Sequence, residues 1–187
     1  MFAYMNFDVT PDIITFAKGV NSGYIPLGGA IVKSDIARFF DDKYLSCGLT
    51  YSGHPLACAA GVACQEFYLK NDIEAHVKKV GKHLGEVLES IKAKHKSVGD
   101  VRYIGLFAGV ELVKDRETRE PLVPWGQDPQ GIMGSIVNEL KRRGFFTYSH
   151  ENVIIVAPPL IITEEQIDEE LLKLDEVLKI VDEKYVL

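Results

Sequence analysis

The chain has 187 residues, of which 47% are hydrophobic and 26% charged; this length suits one or two globular domains with a buried core. The formal net charge of -6 argues against a nucleic-acid surface, which needs Lys and Arg clustered on one face. No apolar run reaches the roughly 20 residues of a membrane-spanning helix, and no stretch resembles a signal peptide, so the sequence predicts a cytoplasmic protein without membrane contact.

The first part of the chain alternates short apolar runs with helical patterns, which is typical of an α/β protein. Ile13–Phe16 and Gly29–Val32 are predicted to be buried strands. Ser34 is expected to cap a short helix that ends at Phe39. The Ala-rich run over residues 55–69 predicts a longer helix with Pro in its first turn.

The rest of the chain predicts a second set of helices and strands. Over residues 73–95, apolar side chains recur at steps of three and four, so they share one face of a long helix. Thr163 and Gln166 have the spacing of a capping box that opens the last helix. Between these two helices the pattern predicts strands over 101–104 and 107–113, a helix from 132 to 144, and strands over 145–148 and 153–156.

Three cysteines, Cys47, Cys58 and Cys64, are present. Their number is odd and they lack the C-x-x-C spacing of common metal and redox sites. We interpret them as reduced thiols in the core, and no metal site is predicted.

One lysine, Lys18, follows an apolar run and precedes a loop rich in glycine. An amine at the end of a strand is rigidly positioned, and glycines such as Gly19 and Gly23 let the backbone pass close to a bulky cofactor. A lysine in a loop is, however, most often a solvated charge, and glycines most often mark only turns. The pattern alone therefore permits a catalytic lysine without requiring one.

The order of residues around Lys18 is more specific. The segment PDIITFAKGVNSGYIPLGG, residues 11–29, resembles the pyridoxal-phosphate lysine segment of the class III (subgroup II, omega-type) aminotransferases. The segment GLTYSGHPLACAAG, residues 48–61, resembles that family's next signature, at the family's spacing. This resemblance implies an α/β fold, the C-terminal part of a fold-type I pyridoxal-phosphate-dependent transferase. It also implies that residues 1–69 end the large cofactor domain and residues 70–187 form the small C-terminal α+β domain.

The resemblance assigns roles to individual residues. Lys18 is implied to be the catalytic and cofactor-binding amine, which condenses with the aldehyde of pyridoxal 5'-phosphate and later moves a proton at the substrate carbon. Thr50 is implied to bind the cofactor phosphate of a neighbouring subunit, which requires a homodimer; a threonine that only forms a turn is the alternative. His54, where many relatives have Asn, is interpreted as capping the next helix rather than as touching a phosphate.

The substrates implied by the family are a small-molecule amine and a keto acid. Many relatives have an Arg at the position of Tyr148, and that Arg binds the substrate carboxylate through two hydrogen bonds. A phenol cannot form this ion pair. Either another group binds the anion, with His150 a weak candidate, or the donor is an ω-amino compound; Tyr148 as a simple aromatic at a domain seam is equally compatible. We predict an ω-amino donor and pyruvate or a similar keto acid as acceptor.

In the family, other parts of the cofactor pocket precede the segment with which this chain starts. They include an Asp that meets the pyridine nitrogen, the phosphate-binding turn and an aromatic residue that stacks on the cofactor ring. The chain is therefore expected to be a truncated aminotransferase that is inactive without the missing N-terminal half. The alternative is a noncatalytic truncated product or remnant that keeps only the fold of the small domain.

Overall fold

A computed structural model describes residues 2–186 of the chain. The chain divides into two compact units, unit 1 up to Glu74 and unit 2 from Ala75 onward. The division lies slightly beyond the predicted boundary at residues 69 and 70. The assignment of these units to the end of a large domain and to a small domain stays a prediction.

Unit 1 contains a two-stranded antiparallel sheet and two α-helices. Strands β1 (Ile13–Phe16) and β2 (Gly29–Val32) have the predicted bounds and pair in register, with Ile13 opposite Val32. A 3-10 turn, Lys18–Val20, follows β1. The helices are α1 (Ser34–Arg38) and α2 (Pro55–Lys70), and Pro55 occupies the first turn of α2 as predicted.

The prediction that these strands are buried is wrong for this chain. Ile13 is 55% exposed and Ile31 is 47% exposed, and every residue of β2 is exposed. A two-stranded sheet buries little surface by itself. The apolar pattern of a strand indicates that it suits a buried position, but does not show whether other elements cover it.

The N-terminus of α1 also differs from the prediction. The cap position is Lys33, not Ser34, and no side chain caps the helix. The Lys33 amine pairs with the Asp12 carboxylate at 2.6 Å, and the Lys33 N–H donates to the Asp12 carbonyl. These contacts continue the alignment of the two strands as far as Lys33, so the helix starts directly after it.

Helix α3 (Ile73–Lys94) starts just before the division, and the other elements lie in unit 2. A central antiparallel sheet has the order β3-β4-β7-β6, and β5 pairs with the far end of β4. The remaining elements are β3 (Val98–Ile104), β4 (Phe107–Asp115), β5 (Glu120–Pro121), α4 (Ile132–Arg142), β6 (Ser149–His150), β7 (Val153–Val156) and α5 (Glu164–Tyr185).

The core of unit 2 forms where α3, α4 and α5 pack with the sheet. The predicted faces of the two long helices are confirmed. The capping box is confirmed as well, because Thr163 Oγ1 accepts from the Gln166 N–H at 3.3 Å and Gln166 Oε1 accepts from the Thr163 N–H at 3.0 Å. The fully buried apolar residues of these helix faces are Val80, Leu84, Leu88, Ile91, Ile167, Leu171, Leu174, Leu178 and Val181.

The predicted strand over residues 145–148 is not formed. The Thr147 hydroxyl donates to the Ile155 carbonyl, which a neighbouring strand would otherwise engage through a backbone N–H. Backbone pairing with β7 starts only at Tyr148, whose carbonyl accepts from the Ile155 N–H at 3.1 Å. The regular strand is therefore limited to Ser149–His150.

All three cysteines are free thiols, but the prediction that they lie in the core is wrong. Cys47 and Cys58 are exposed and Cys64 is half-buried. Within residues 2–186, no three His, Cys, Asp or Glu side chains are grouped so that they could hold a metal ion. No helix in that part of the chain combines the length and the apolar character needed to cross a membrane.

Candidate functional site

Lys18 lies directly after β1, at the start of the 3-10 turn, and its side chain is exposed. Its carbonyl accepts from the Gly23 N–H at 3.3 Å, and the Val20 N–H donates to the Ala17 carbonyl at 3.0 Å. Among the residues that the structure describes, no hydrogen bond or ion pair engages the Lys18 amine. The backbone at Lys18 is thus held while the amine remains available.

The turn after Lys18 is organised by Asn21, a residue that the sequence analysis did not single out. Asn21 is 1% exposed. Its Nδ2 donates to the Ile25 carbonyl at 2.7 Å, and its Oδ1 accepts from the Gly23 N–H at 3.2 Å. Asn followed two residues later by Gly is the usual pattern of an Asx turn, so this signal was present in the sequence.

Helix α2 contacts the same turn through two side chains. Gln65 Nε2 donates to the Val20 carbonyl at 2.7 Å. The Tyr68 hydroxyl donates to the Gly19 carbonyl at 3.4 Å and shares a hydrogen bond with the Ser22 hydroxyl. Gln65 and Tyr68 are three residues apart, which places them on one face of the helix.

Thr50 lies in the exposed turn that precedes α2. The Ser52 N–H donates to the Leu49 carbonyl at 3.0 Å, and Gly53 has a left-handed φ of +64°. No hydrogen bond joins the Thr50 and Lys18 side chains in the described part of the chain, and the implied role of Thr50 toward a neighbouring subunit stays a prediction. His54 occupies the N-cap position of α2, but its side chain makes no capping hydrogen bond, so that interpretation is wrong.

Tyr148 and His150 belong to unit 2, at β6. Tyr148 is 60% exposed, and its carbonyl, not its phenol, takes part in the pairing with β7. Unit 2 also contains a mostly apolar cleft of about 220 Å³, and neither Tyr148 nor His150 lines it. Phe146, Pro158 and Ile162 are among the residues that do.

Comparison with known proteins shows the family to which the chain is similar. The family Aminotransferase class-III matches residues 1–178. Acetylornithine aminotransferase of Caldanaerobacter subterraneus subsp. tengcongensis is 39% identical over 178 residues, which cover 95% of this chain and 40% of that protein. Taurine--pyruvate aminotransferase of Bilophila wadsworthia is 33% identical over 197 residues, which cover 98% of this chain and 42% of that protein.

A solved structure is closely similar as well. It is the taurine:2-oxoglutarate aminotransferase from Bifidobacterium kashiwanohense in complex with PLP and glutamate. The TM-score is 0.95 and the sequence identity 53%, over 99% of this chain and 41% of that chain. This chain spans about 40% of the length of these relatives. The predicted fold, the C-terminal part of a fold-type I transaminase, is confirmed, and the chain belongs to the class III aminotransferases.

Proposed function

We propose that this chain provides the catalytic lysine of a pyridoxal-phosphate-dependent aminotransferase, which transfers an amino group from an ω-amino donor to pyruvate or a similar keto acid. The observation that carries the proposal is the amine of Lys18, exposed and free of partners in the described chain, on a turn held by partly buried hydrogen bonds. Membership of the family and the PLP named for the Bifidobacterium relative support the cofactor.

The chemistry of unit 1 fits this cofactor. A lysine amine that has lost its proton can attack an aldehyde, and the Lys18 side chain extends into solvent from a fixed backbone. The Thr50 hydroxyl can donate a hydrogen bond to a phosphate oxygen. Pyridoxal phosphate, when bound, supplies the electron sink for the reaction at the substrate carbon. In this proposal Lys18 holds the cofactor and carries the proton at its Nζ, while Thr50 retains the phosphate.

The donor class follows from Tyr148. A guanidinium binds a carboxylate through two charge-assisted hydrogen bonds, whereas a phenol donates a single neutral one. Two relatives are named for taurine, an ω-amino sulfonate, and this supports a donor whose anion lies away from the reacting nitrogen. One of those names gives pyruvate as the acceptor and the other gives 2-oxoglutarate, so the support extends to the class of keto acids.

A chimera allows the donor preference to be measured. It joins the N-terminal part of the Bifidobacterium relative to this chain at Phe2, and 53% identity over 99% of the chain favours correct assembly. We expect kcat/KM for taurine or β-alanine to exceed that for glutamate by roughly 5- to 150-fold, because about 1 to 3 kcal/mol of ion-pair binding is missing for an α-carboxylate. Tyr148→Arg should reduce this preference.

The matched control is Ser149→Arg, which adds the same charge one residue later, at a half-buried position between the exposed Tyr148 and His150. It should leave the donor preference unchanged. A clear preference of the unmodified chimera for glutamate would contradict the proposal and would point to an anion-binding group elsewhere.

The exposed apolar surface of unit 1 supports a partner, either a second subunit or a segment equivalent to the N-terminal part of the relatives. Monomeric soluble proteins rarely expose large apolar patches. We therefore expect the 187-residue chain alone to self-associate in light scattering, and a monomer at all concentrations would count against a partner. Several large side chains of unit 1 are between 73% and 88% exposed, namely Tyr24, Tyr44, Leu49, Tyr51 and Leu69.

A second candidate is that the chain alone is a noncatalytic product that keeps the fold of the small domain. The observation in its favour is that unit 2 has its own extensive core, whereas most large apolar residues of unit 1 are exposed. Visible absorbance of the isolated chain with added pyridoxal phosphate, before and after borohydride, separates the two candidates. A cytoplasmic location remains part of the proposal and is supported by the three free cysteines.

A further inference from the structure

We infer that Asn21, Gln65 and Tyr68 are positioning residues, which fix the turn that carries Lys18 and thereby set the place of its amine. The inference rests on the proposed function, since it concerns the same lysine. None of the three side chains is assigned a contact with the cofactor. Asn21 lies in the turn itself, and Gln65 and Tyr68 lie on α2.

Burial singles out this turn within unit 1. Most large apolar side chains of the unit are exposed, yet Asn21 is 1% exposed. A buried amide is costly unless its polar atoms have partners, and Asn21 satisfies both ends, as donor to Ile25 and acceptor from Gly23. The best-packed polar group of unit 1 thus lies three residues after the lysine.

Side chains donate some of the hydrogen bonds that the backbone carbonyls of the turn accept. Strand pairing ends at Phe16, and a single 3-10 turn follows, so regular structure provides few bonds here. Even so, the four consecutive carbonyls of residues 18–21 all accept hydrogen bonds. Two are supplied by backbone N–H groups, and Gln65 and Tyr68 supply the other two.

This arrangement matters because of the lysine side chain. Its four-carbon stem is flexible, so the protein controls the amine mainly by fixing the backbone from which it extends. A misplacement of about 1 Å of a reacting group can cost about 100-fold in rate. In the sequence, Gln65 is 45 residues away from Val20 and Tyr68 is 46 residues away from Ser22. Their hydrogen bonds therefore fix the position of the turn relative to the 16-residue helix α2.

The experiment uses the full 187-residue chain and pairs each variant with a neighbouring control. Gln65→Ala is compared with Glu66→Ala, an exposed position on the same helix. Gln65→Glu keeps the size of the side chain but, when ionised, cannot donate to the Val20 carbonyl. Tyr68→Phe is compared with Tyr44→Phe, at a tyrosine that is 88% exposed.

Two quantities are measured. The first is hydrogen exchange at the amides of Gly23 and Tyr24. The second is labelling of Lys18 by pyridoxal phosphate and borohydride, mapped by mass spectrometry and expressed as a ratio to labelling of Lys33. A general loss of structure is recognised separately, because it would also speed exchange at the paired amides of β1 and β2. Gln65→Ala, Gln65→Glu and Tyr68→Phe should each speed the exchange and lower the ratio by roughly 2- to 10-fold, the effect of one lost hydrogen bond.

Exchange and labelling that match those of Glu66→Ala and Tyr44→Phe would overturn the inference. Failure of the proposed function is a different result, because the unmodified chain would then label Lys18 no more than Lys33. In that case the exchange rates still decide whether Gln65 and Tyr68 hold the turn.

Discussion

In the proposed mechanism, we expect Lys18→Ala to abolish transamination in the chimera that joins this chain to the N-terminal part of the Bifidobacterium relative. The substitution removes both the covalent link to the cofactor and the group that carries the proton at the substrate carbon. Loss of a general acid–base group alone lowers a rate by roughly 100- to 10,000-fold, and loss of the covalent step adds to this. We expect the kcat to fall by more than about 1,000-fold, measured as keto-acid formation from taurine.

Two other variants test whether the effect is specific. Lys33→Ala removes an exposed lysine whose partner is Asp12, and it should leave the kcat within about twofold, since surface ion pairs contribute little. Thr50→Ala should mainly weaken retention of the cofactor, so added pyridoxal phosphate restores most of the activity. Retained transamination in Lys18→Ala would refute the assignment of the catalytic lysine.

Local patterns predicted those parts of the fold that depend on neighbours in the chain. The bounds of β1 and β2, the buried faces of α3 and α5 and the Thr163 capping box all follow from periodicity and spacing of a few residues. The lysine segment was identified by its resemblance to that of the class III aminotransferases, which a contiguous run of residues can carry.

Features that depend on distant residues were missed. Asn21 is buried partly because α2 covers the turn, and Gln65 is 45 residues away from its acceptor. The exposure of β1 depends on which segments lie beside it. Gly85 lies within α3, and a Cβ there would clash with the ring of Tyr103 on the neighbouring hairpin. Close approach of this kind is a tertiary contact, which no short pattern reports.

The largest expected effect on stability concerns His95, which is 1% exposed in unit 2. Its Nδ1 lies 2.7 Å from Asp182 Oδ2 and its Nε2 lies 2.9 Å from Asp175 Oδ1. Each ring nitrogen of His95 thus lies within hydrogen-bond distance of a carboxylate oxygen. The Asp182 carboxylate also accepts from the Ser97 N–H at 2.8 Å. His95 therefore joins the end of α3 and the start of β3 to α5.

His95→Ala should lower the free energy of unfolding of unit 2 by about 3 kcal/mol, because Asp175 and Asp182 each lose a hydrogen bond to a side chain that is almost fully buried. The measurement is urea unfolding followed by circular dichroism and by the fluorescence of Trp125, the single tryptophan. The matched control is His83→Ala. His83 also reaches α5, through one bond of 2.7 Å to Asp168, but that carboxylate is 57% exposed. Its loss should cost less than about 1 kcal/mol.

The pH dependence of the His95→Ala effect provides an independent check. Burial acts to raise the pKa of Asp175, but hydrogen bonds from Lys94 and His95 outweigh it and hold the pKa below its ordinary value. Because the pKa of Asp175 is lower in the folded state, its ionised form stabilises the fold at any pH above its pKa in the unfolded chain, about 3.9. This stabilisation is lost as the pH falls through the pKa in the folded state. The stability difference between the unmodified chain and His95→Ala should therefore be full at pH 7 and shrink below about pH 4. A difference that stays constant down to pH 3, or one no larger than that of His83→Ala, would show that the cluster does not carry the stability assigned to it.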